Sequence, residues 1–278
     1  MTPLFILFQY LVPQHLLSRL IGKLAECRTP WLKNLLIKRF IEHYDVNMAE
    51  AADPDYENYP HFNAFFTRPL QEGARDICEE GIASPADGAI SQLGDIVDGR
   101  IFQAKGQSYT AQELLGGDAA LAAPFAGGKF ATIYLSPKDY HRVHMPTAGT
   151  LRHGIYVPGD LFSVNNATAD NVPRLFSRNE RYVAIFDTQY GPMAMVLVGA
   201  MIVAGIETVW GGQVAPIKRT LQRTDYPCHI DTQQLAKGDE MGRFKLGSTV
   251  VLLFGKDALE WAEDLSHARP LRMGERIA

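Results

Sequence analysis

Met193-Ala194-Met195-Val196-Leu197-Val198-Gly199-Ala200-Met201-Ile202-Val203-Ala204-Gly205-Ile206 is the longest apolar run in the chain: 14 residues, interrupted by Gly199 and Gly205. A helix needs roughly 18 apolar residues to span a bilayer, so the run is too short for that and reads as one or two fully buried β-strands. Shorter runs of the same texture recur at residues 130–135, 182–187 and 249–254, separated by Gly, Pro and Asp. Apolar runs bounded by turn formers predict strands, so the chain beyond residue 50 is expected to be mostly β.

The remaining composition narrows the class of protein. With 278 residues there is room for a substantial core, and 46% hydrophobic with 21% charged residues is ordinary globular usage. Lys and Arg total 27 against 31 Asp and Glu, a net −4. The positive field that collects nucleic-acid phosphates is therefore missing, and no nucleic-acid partner is expected. Cys27, Cys78 and Cys228 show no C-x-x-C spacing, so neither a disulfide framework nor a cysteine metal site is expected. The apolar start MTPLFILFQYLVP has no basic region before it and no small-x-small site after it, and reads as retained rather than as a signal peptide.

Residues 1–50 form a unit of different character. Leu16, Leu17, Leu20, Ile21 and Leu24, then Leu32, Leu35, Leu36, Phe40 and Ile41 beyond Pro30, follow helical spacing and predict two or three amphipathic helices. Between His15 and Arg39 stand Arg19, Lys23, Arg28, Lys33, Lys38 and Arg39 against Glu26 alone, a local balance of +5. Such a segment can lie on an anionic lipid surface, or it can pack as a helical hairpin with an ordinary solvated basic face; the sequence weighs these equally. A last short helix is expected over residues 257–265.

Three short stretches could carry chemistry. Ser84-Pro85-Ala86-Asp87-Gly88 is a good turn signal, and Asp87 taken alone is more often structural. Tyr140-His141-Arg142-Val143-His144 sets two histidines three residues apart, and histidine exchanges protons near neutrality, although a pair satisfying nearby backbone is an even alternative. H-x-x-H without a third ligand is a weak zinc signal. Lys245-Leu246-Gly247-Ser248-Thr249-Val250 reads in isolation as a turn opening a strand. A Gly-Ser bond also permits the serine hydroxyl to attack its own preceding carbonyl through a five-membered ring, because glycine has no Cβ to obstruct the bend.

Together these stretches, with Asn63-Ala64-Phe65-Phe66-Thr67-Arg68 and Pro158-Gly159-Asp160-Leu161-Phe162-Ser163-Val164-Asn165, resemble the phosphatidylserine decarboxylase family in its pyruvoyl-dependent, short bacterial form. The resemblance implies an α+β protein with a mostly antiparallel β catalytic core over 51–278 and an amphipathic, membrane-associating helical segment over 1–50. It implies that Asp87, His144 and Ser248 act as a self-cleavage triad, with His144 as base, Asp87 fixing its tautomer and Ser248 attacking its own chain. Cleavage between Gly247 and Ser248 would yield a β chain, 1–247, and an α chain, 248–278, that stay associated. Ser248 would become a covalent pyruvoyl group, the Schiff-base carbonyl and only cofactor, with no metal. His141 would be the proton donor in decarboxylation of phosphatidylserine to phosphatidylethanolamine, and Ser163 and Val164 would contact substrate. It further implies a peripheral enzyme on the cytoplasmic face of the inner membrane, bound to anionic lipid, with a second copy of the chain as a candidate partner in a homodimer.

Other classes remain open on the residues alone. A serine hydrolase using the same three side chains would keep one intact chain. A metal hydrolase built on His141, His144 and Asp87 would be sensitive to chelators. A lipid-surface binding module would need no triad.

Overall fold

Pro13 and Pro30 divide the N-terminal region into three helices, α1 (Thr2–Leu11), α2 (Gln14–Ala25) and α3 (Pro30–Tyr44). Pro13 stands at the N-cap of α2, and Pro30 opens α3 at the position where a missing N–H costs nothing. The computed structural model describes residues 2–201, 205–216, 220–227, 233–245 and 248–278. Ile202, Val203, Ala204, Cys228, Leu246 and Gly247 lie outside the described residues. Among the described residues no single helix is long and apolar enough to cross a membrane; α1 and α2 pass that test only as a pair bent by 88°.

The helical region has its own core. Ile37 of α3 and Ala25 of α2 pack with Phe62, Phe65 and Phe66 of α4 (Phe62–Phe66), and Phe40 meets Phe62 edge-on at 5.1 Å. The opposite faces stay in solvent, with Leu4 and Leu11 about three-quarters exposed and Trp31 69% exposed. One cation counted toward the basic surface is not on it. Lys33 is buried, its Nζ donating to Asn34 Oδ1 (2.6 Å) and to the Glu57 carbonyl (2.7 Å), so it ties α3 to the following loop instead.

Among the described residues fifteen strands follow. They are β1 (Gly88–Asp95), β2 (Arg100–Ala104), β3 (Gln107–Thr110), β4 (Lys129–Leu135) and β5 (Arg142–His144), then β6 (Gly149–Val157), β7 (Arg181–Thr188) and β8 (Gly191–Gly199). After these come β9 (Gly205–Thr208), β10 (Gly212–Ala215), β11 (Gln222–Asp225), β12 (Gln234–Leu235), β13 (Glu240–Lys245), β14 (Ser248–Phe254) and β15 (Pro270–Leu271). A nine-stranded sheet runs β11-β6-β7-β8-β14-β4-β1-β15 with β12 added on β6, a second runs β10-β9-β13-β5, and β2 pairs β3. Among the described residues every pairing between these strands is antiparallel. The class is thus α+β, mostly antiparallel, with an N-terminal helical region.

The centre of the large sheet explains the uninterrupted apolar runs. β14 lies between β4 and β8, and all seven of its residues are buried. Val250, Leu252 and Phe254 join one core with Ile133, Met195 and Leu197, while Val251 and Leu253 join another with Val196 and Val198. A strand covered on both faces has no reason to alternate with polar residues. Leu252→Ala should therefore lower unfolding free energy by about 2–5 kcal/mol. A denaturant titration checks this: the midpoint should fall at unchanged slope, and a loss under about 1 kcal/mol would contradict the packing.

Residues 257–265, expected as a helix, are a series of turns. Asp257 adopts a left-handed φ of 58°, the Ala262 amide donates to the Ile277 carbonyl (3.0 Å), and Trp261 packs edge-on against Phe254. Bonds to the chain terminus here replace the i to i−4 bonds that a helix would use.

Candidate active site

The registers of the two sheets bring the singled-out stretches together. β4 pairs β14 with Leu135 opposite Ser248, and β5 pairs β13 with Arg142 opposite Arg243. Leu135 at the end of β4 thus lies beside Ser248 at the head of β14 in the large sheet, and the link from β4 to β5 in the small sheet carries Tyr140 and His141. His144 joins them from β5, and its amide donates to the Pro85 carbonyl (2.8 Å), which draws in the Ser84–Gly88 turn. Gly88 is required there, since a Cβ would overlap the Tyr134 carbonyl oxygen.

Ser248 is fully buried, and its Oγ has no hydrogen-bond partner among the described residues. His141 is likewise fully buried, with its ring 4.0 Å from that of Phe66. A carbonyl can only accept, so the 2.8 Å contact of His141 Nδ1 with the Asp139 carbonyl places the proton on Nδ1 and leaves a lone pair on Nε2. That Nε2 has no partner among the described residues either. Burial pushes the His141 pKa down to about 3; the Asp139 carbonyl opposes this and the Arg68 charge adds to it, so the ring is neutral at pH 7.

His144 has the same tautomer for a similar reason. Its Nδ1–H donates to the Gly238 carbonyl (2.8 Å), and its Nε2 accepts from the Tyr140 hydroxyl (2.9 Å). Burial lowers its pKa as well, and burial also holds the Tyr140 phenol above its usual range, so that hydroxyl remains a donor. Asp87, 9% exposed, is engaged elsewhere. Its Oδ1 accepts from Arg75 Nε (3.0 Å) and the Met273 amide (2.8 Å), and its Oδ2 pairs with Arg75 Nη2. Arg75 in turn reaches Glu50 (2.7 Å), which also holds Arg272 (2.7 Å). Asp87, His144 and Ser248 thus share one region without hydrogen bonds to one another, and the Gly238 carbonyl, not Asp87, holds the His144 tautomer.

Ser163 and Val164 follow Phe162, whose carbonyl accepts from Asn179 Nδ2 (2.8 Å), and the same Nδ2 donates to the carbonyl of Gly199 (2.9 Å), the strand partner of Ser248. The Ser163 amide donates to Oε1 of Gln9 in α1 (2.8 Å), and Val164 is buried in the second core. Gln9 is fully buried and also donates to Thr168 Oγ1 (3.2 Å), while Gln14 Oε1 accepts from the Leu161 amide (2.6 Å). This segment fastens the N-terminal helices to the β core. No local sequence pattern assigns a role to Arg75, Tyr140, Gln9 or Gln14; the two glutamines, polar among apolar helix positions, are the one signal the chain offers. Among the described residues no three His, Cys, Asp or Glu side chains gather as a metal site would require.

Known proteins with this chain's sequence pattern form a class of decarboxylases made as proenzymes. The family model described as Phosphatidylserine decarboxylase matches residues 62–278, and one described as PSD matches residues 4–45. A phosphatidylserine decarboxylase proenzyme of Ectopseudomonas mendocina is 63% identical, covering 99% of this chain and 97% of the relative; one of Stutzerimonas stutzeri is 61% identical, covering 99% and 93%. This chain belongs to the phosphatidylserine decarboxylase family.

Proposed function

We propose that the chain cuts itself before Ser248, converts that serine to a pyruvoyl group, and uses it to decarboxylate phosphatidylserine to phosphatidylethanolamine in phospholipid biosynthesis. The observation that carries this reading is the pair of orphaned atoms, Ser248 Oγ and His141 Nε2, both wholly buried. An unpaired buried polar group costs about 1–3 kcal/mol, and an alanine or valine at the head of β14 would avoid that cost. A serine retained there is explained by chemistry rather than packing.

In self-cleavage a base takes the Ser248 hydroxyl proton and the oxygen attacks the Gly247 carbonyl carbon. The peptide nitrogen leaves and takes a proton, giving an ester. Loss of the Ser248 α-proton expels the Gly247 carboxylate, and water then replaces the amine as ammonia. His144 is the base in this reading, its Nδ1–H fixed by Gly238, and the Asp87 charge favours the imidazolium that forms. The site fits the resulting group, because pairing of β14 with Leu135 and Gly199 begins at Ser248 and holds the new terminus in place. Once formed, the pyruvoyl carbonyl supplies the sink for the electron pair that departing CO₂ leaves behind. His141, neutral at rest, must take a proton before it can donate one, and the substrate ammonium, which has to lose its proton to react, is the source. The unpartnered Nε2 of His141 favours a second reading in which His141 also serves as the base for cutting. One denaturing mass measurement tests the whole scheme: chains 1–247 and 248–278, the latter with a carbonyl in place of its amine, support it, and a single intact chain overturns it.

The exposed helices suit a lipid substrate. α1 to α3 hold the exposed leucines together with Arg19, Lys23, Arg28, Lys38 and Arg39, an arrangement for a peripheral anchor on the anionic cytoplasmic face of the inner membrane. Changing Leu4, Leu7 and Leu11 to Ser should weaken vesicle binding by about tenfold per leucine, while high salt should remove only part of the affinity. Vesicle sedimentation checks this; binding that ignores the leucines and vanishes in salt would leave only a surface electrostatic contact.

A further inference from the structure

A cleft of about 670 Å³ lies between α2 and the β core. Leu16 and Leu20, each more than half exposed, stand at its outer edge with Arg19 and Lys23 from the same helix. Its other wall includes Asn63, Glu180 and Lys245. The inner end approaches the reacting serine. Lys245 closes β13 just before the segment that would be cut, and the Glu180 carbonyl accepts from the amide of Gly199 (2.9 Å), the strand partner of Ser248.

Two features of this cleft await a ligand. Asn63 is 1% exposed; its Nδ2 donates to Glu26 (2.7 Å), and its Oδ1 is buried with no donor among the described residues. Arg19 and Lys23 are one helical turn apart on one face and form no ion pair among the described residues. The cleft thus offers two cations from α2, of which Arg19 also bears on Glu180 in the facing wall, and a lining asparagine whose buried side-chain oxygen is unpaired among the described residues. We propose that it is the headgroup site: Arg19 and Lys23 hold the lipid phosphodiester at the mouth, and Asn63 Oδ1 accepts a hydrogen bond from the headgroup amine. A phosphodiester joined through two carbons to an amine, with acyl chains left outside, matches that order of groups. This inference rests on the proposed decarboxylation and deepens it.

The test uses the mature, self-cleaved enzyme with monomeric dihexanoyl phosphatidylserine, so that membrane binding does not enter. Arg19→Ala combined with Lys23→Ala should raise KM by about tenfold or more while kcat stays within about twofold. Dihexanoyl phosphatidylmethanol, which has the phosphodiester but no amine, should compete with substrate, and its inhibition constant should rise in parallel in this variant. Asn63→Leu, or Asn63→Ala if the former does not mature, should raise KM for phosphatidylserine and leave inhibition by phosphatidylmethanol unchanged. An unchanged KM in the double variant, equal effects of the Asn63 change on both ligands, or inhibition by inorganic phosphate as strong as by phosphatidylmethanol would overturn the assignment. Failure of the unaltered enzyme to cut itself or release CO₂ would instead reject the reading beneath it.

Discussion

Ser248→Ala is expected to accumulate as one uncut chain of 278 residues with decarboxylase activity at background. The same atom, Ser248 Oγ, has to attack the preceding carbonyl and then depart with it, so no neighbouring group can substitute. Misfolding would mimic this result in most buried substitutions, but here the structure separates the two. Ser248 is fully buried and its hydroxyl bonds to none of the described residues, so the substitution removes an unpaired polar group and should leave stability unchanged or raise it by about 1 kcal/mol. An uncut, inactive chain with an undiminished denaturant midpoint is the expected combination, checked by denaturing mass measurement and CO₂ release. A normally cut Ser248→Ala chain would remove the serine from the chemistry altogether.

How much of this could be read in advance follows from where the partners of each residue lie in the chain. The strands at 130–135, 182–187 and 249–254 were legible because burial on both faces leaves an unbroken apolar run, and the central place of β14 follows from the same fact. The hydrogen bonds of the site were not legible. Asp87 is claimed by Arg75 and by the amide of Met273, 186 residues away, and His144 by the Gly238 carbonyl, 94 residues away. A local pattern can nominate a carboxylate and an imidazole, but only the tertiary fold decides whether they meet. Lys33 fails in the same manner: a cation on a helix reads as surface until a loop carbonyl closes over it. Residues 257–265 mislead differently, since Ala258, Trp261 and Leu265 reach the core from turns yet stand three and four residues apart, as on a helix.

The two histidines should separate when each is removed. With His144 as the base for cutting, His144→Ala should slow maturation by about three orders of magnitude or more, as loss of a triad member does. His141→Ala should still mature, yet release CO₂ about 10²- to 10⁴-fold more slowly, the range for a lost general acid. The reverse pattern, an uncut His141→Ala chain and a normally cut His144→Ala chain, would transfer the base to the unpartnered Nε2 of His141. The pH dependence adds a second readout. Burial lowers both imidazole pKa values, that of His141 to about 3, so the neutral, proton-accepting form persists well below the ordinary value of about 6.5. The cutting rate should therefore hold its plateau from pH 8 through 6.5 and decline only in acid, and a midpoint at 6.5 or above would mean that the base is solvated. Stability runs the same way. The unfolded chain binds protons near 6.5 while folded His141 waits until about 3, so stability is full above 6.5 and falls as the pH drops toward 3. Rates should accordingly be compared only where the denaturant midpoint of each variant shows it folded, so that acid loss of cutting is assigned to the base and not to unfolding.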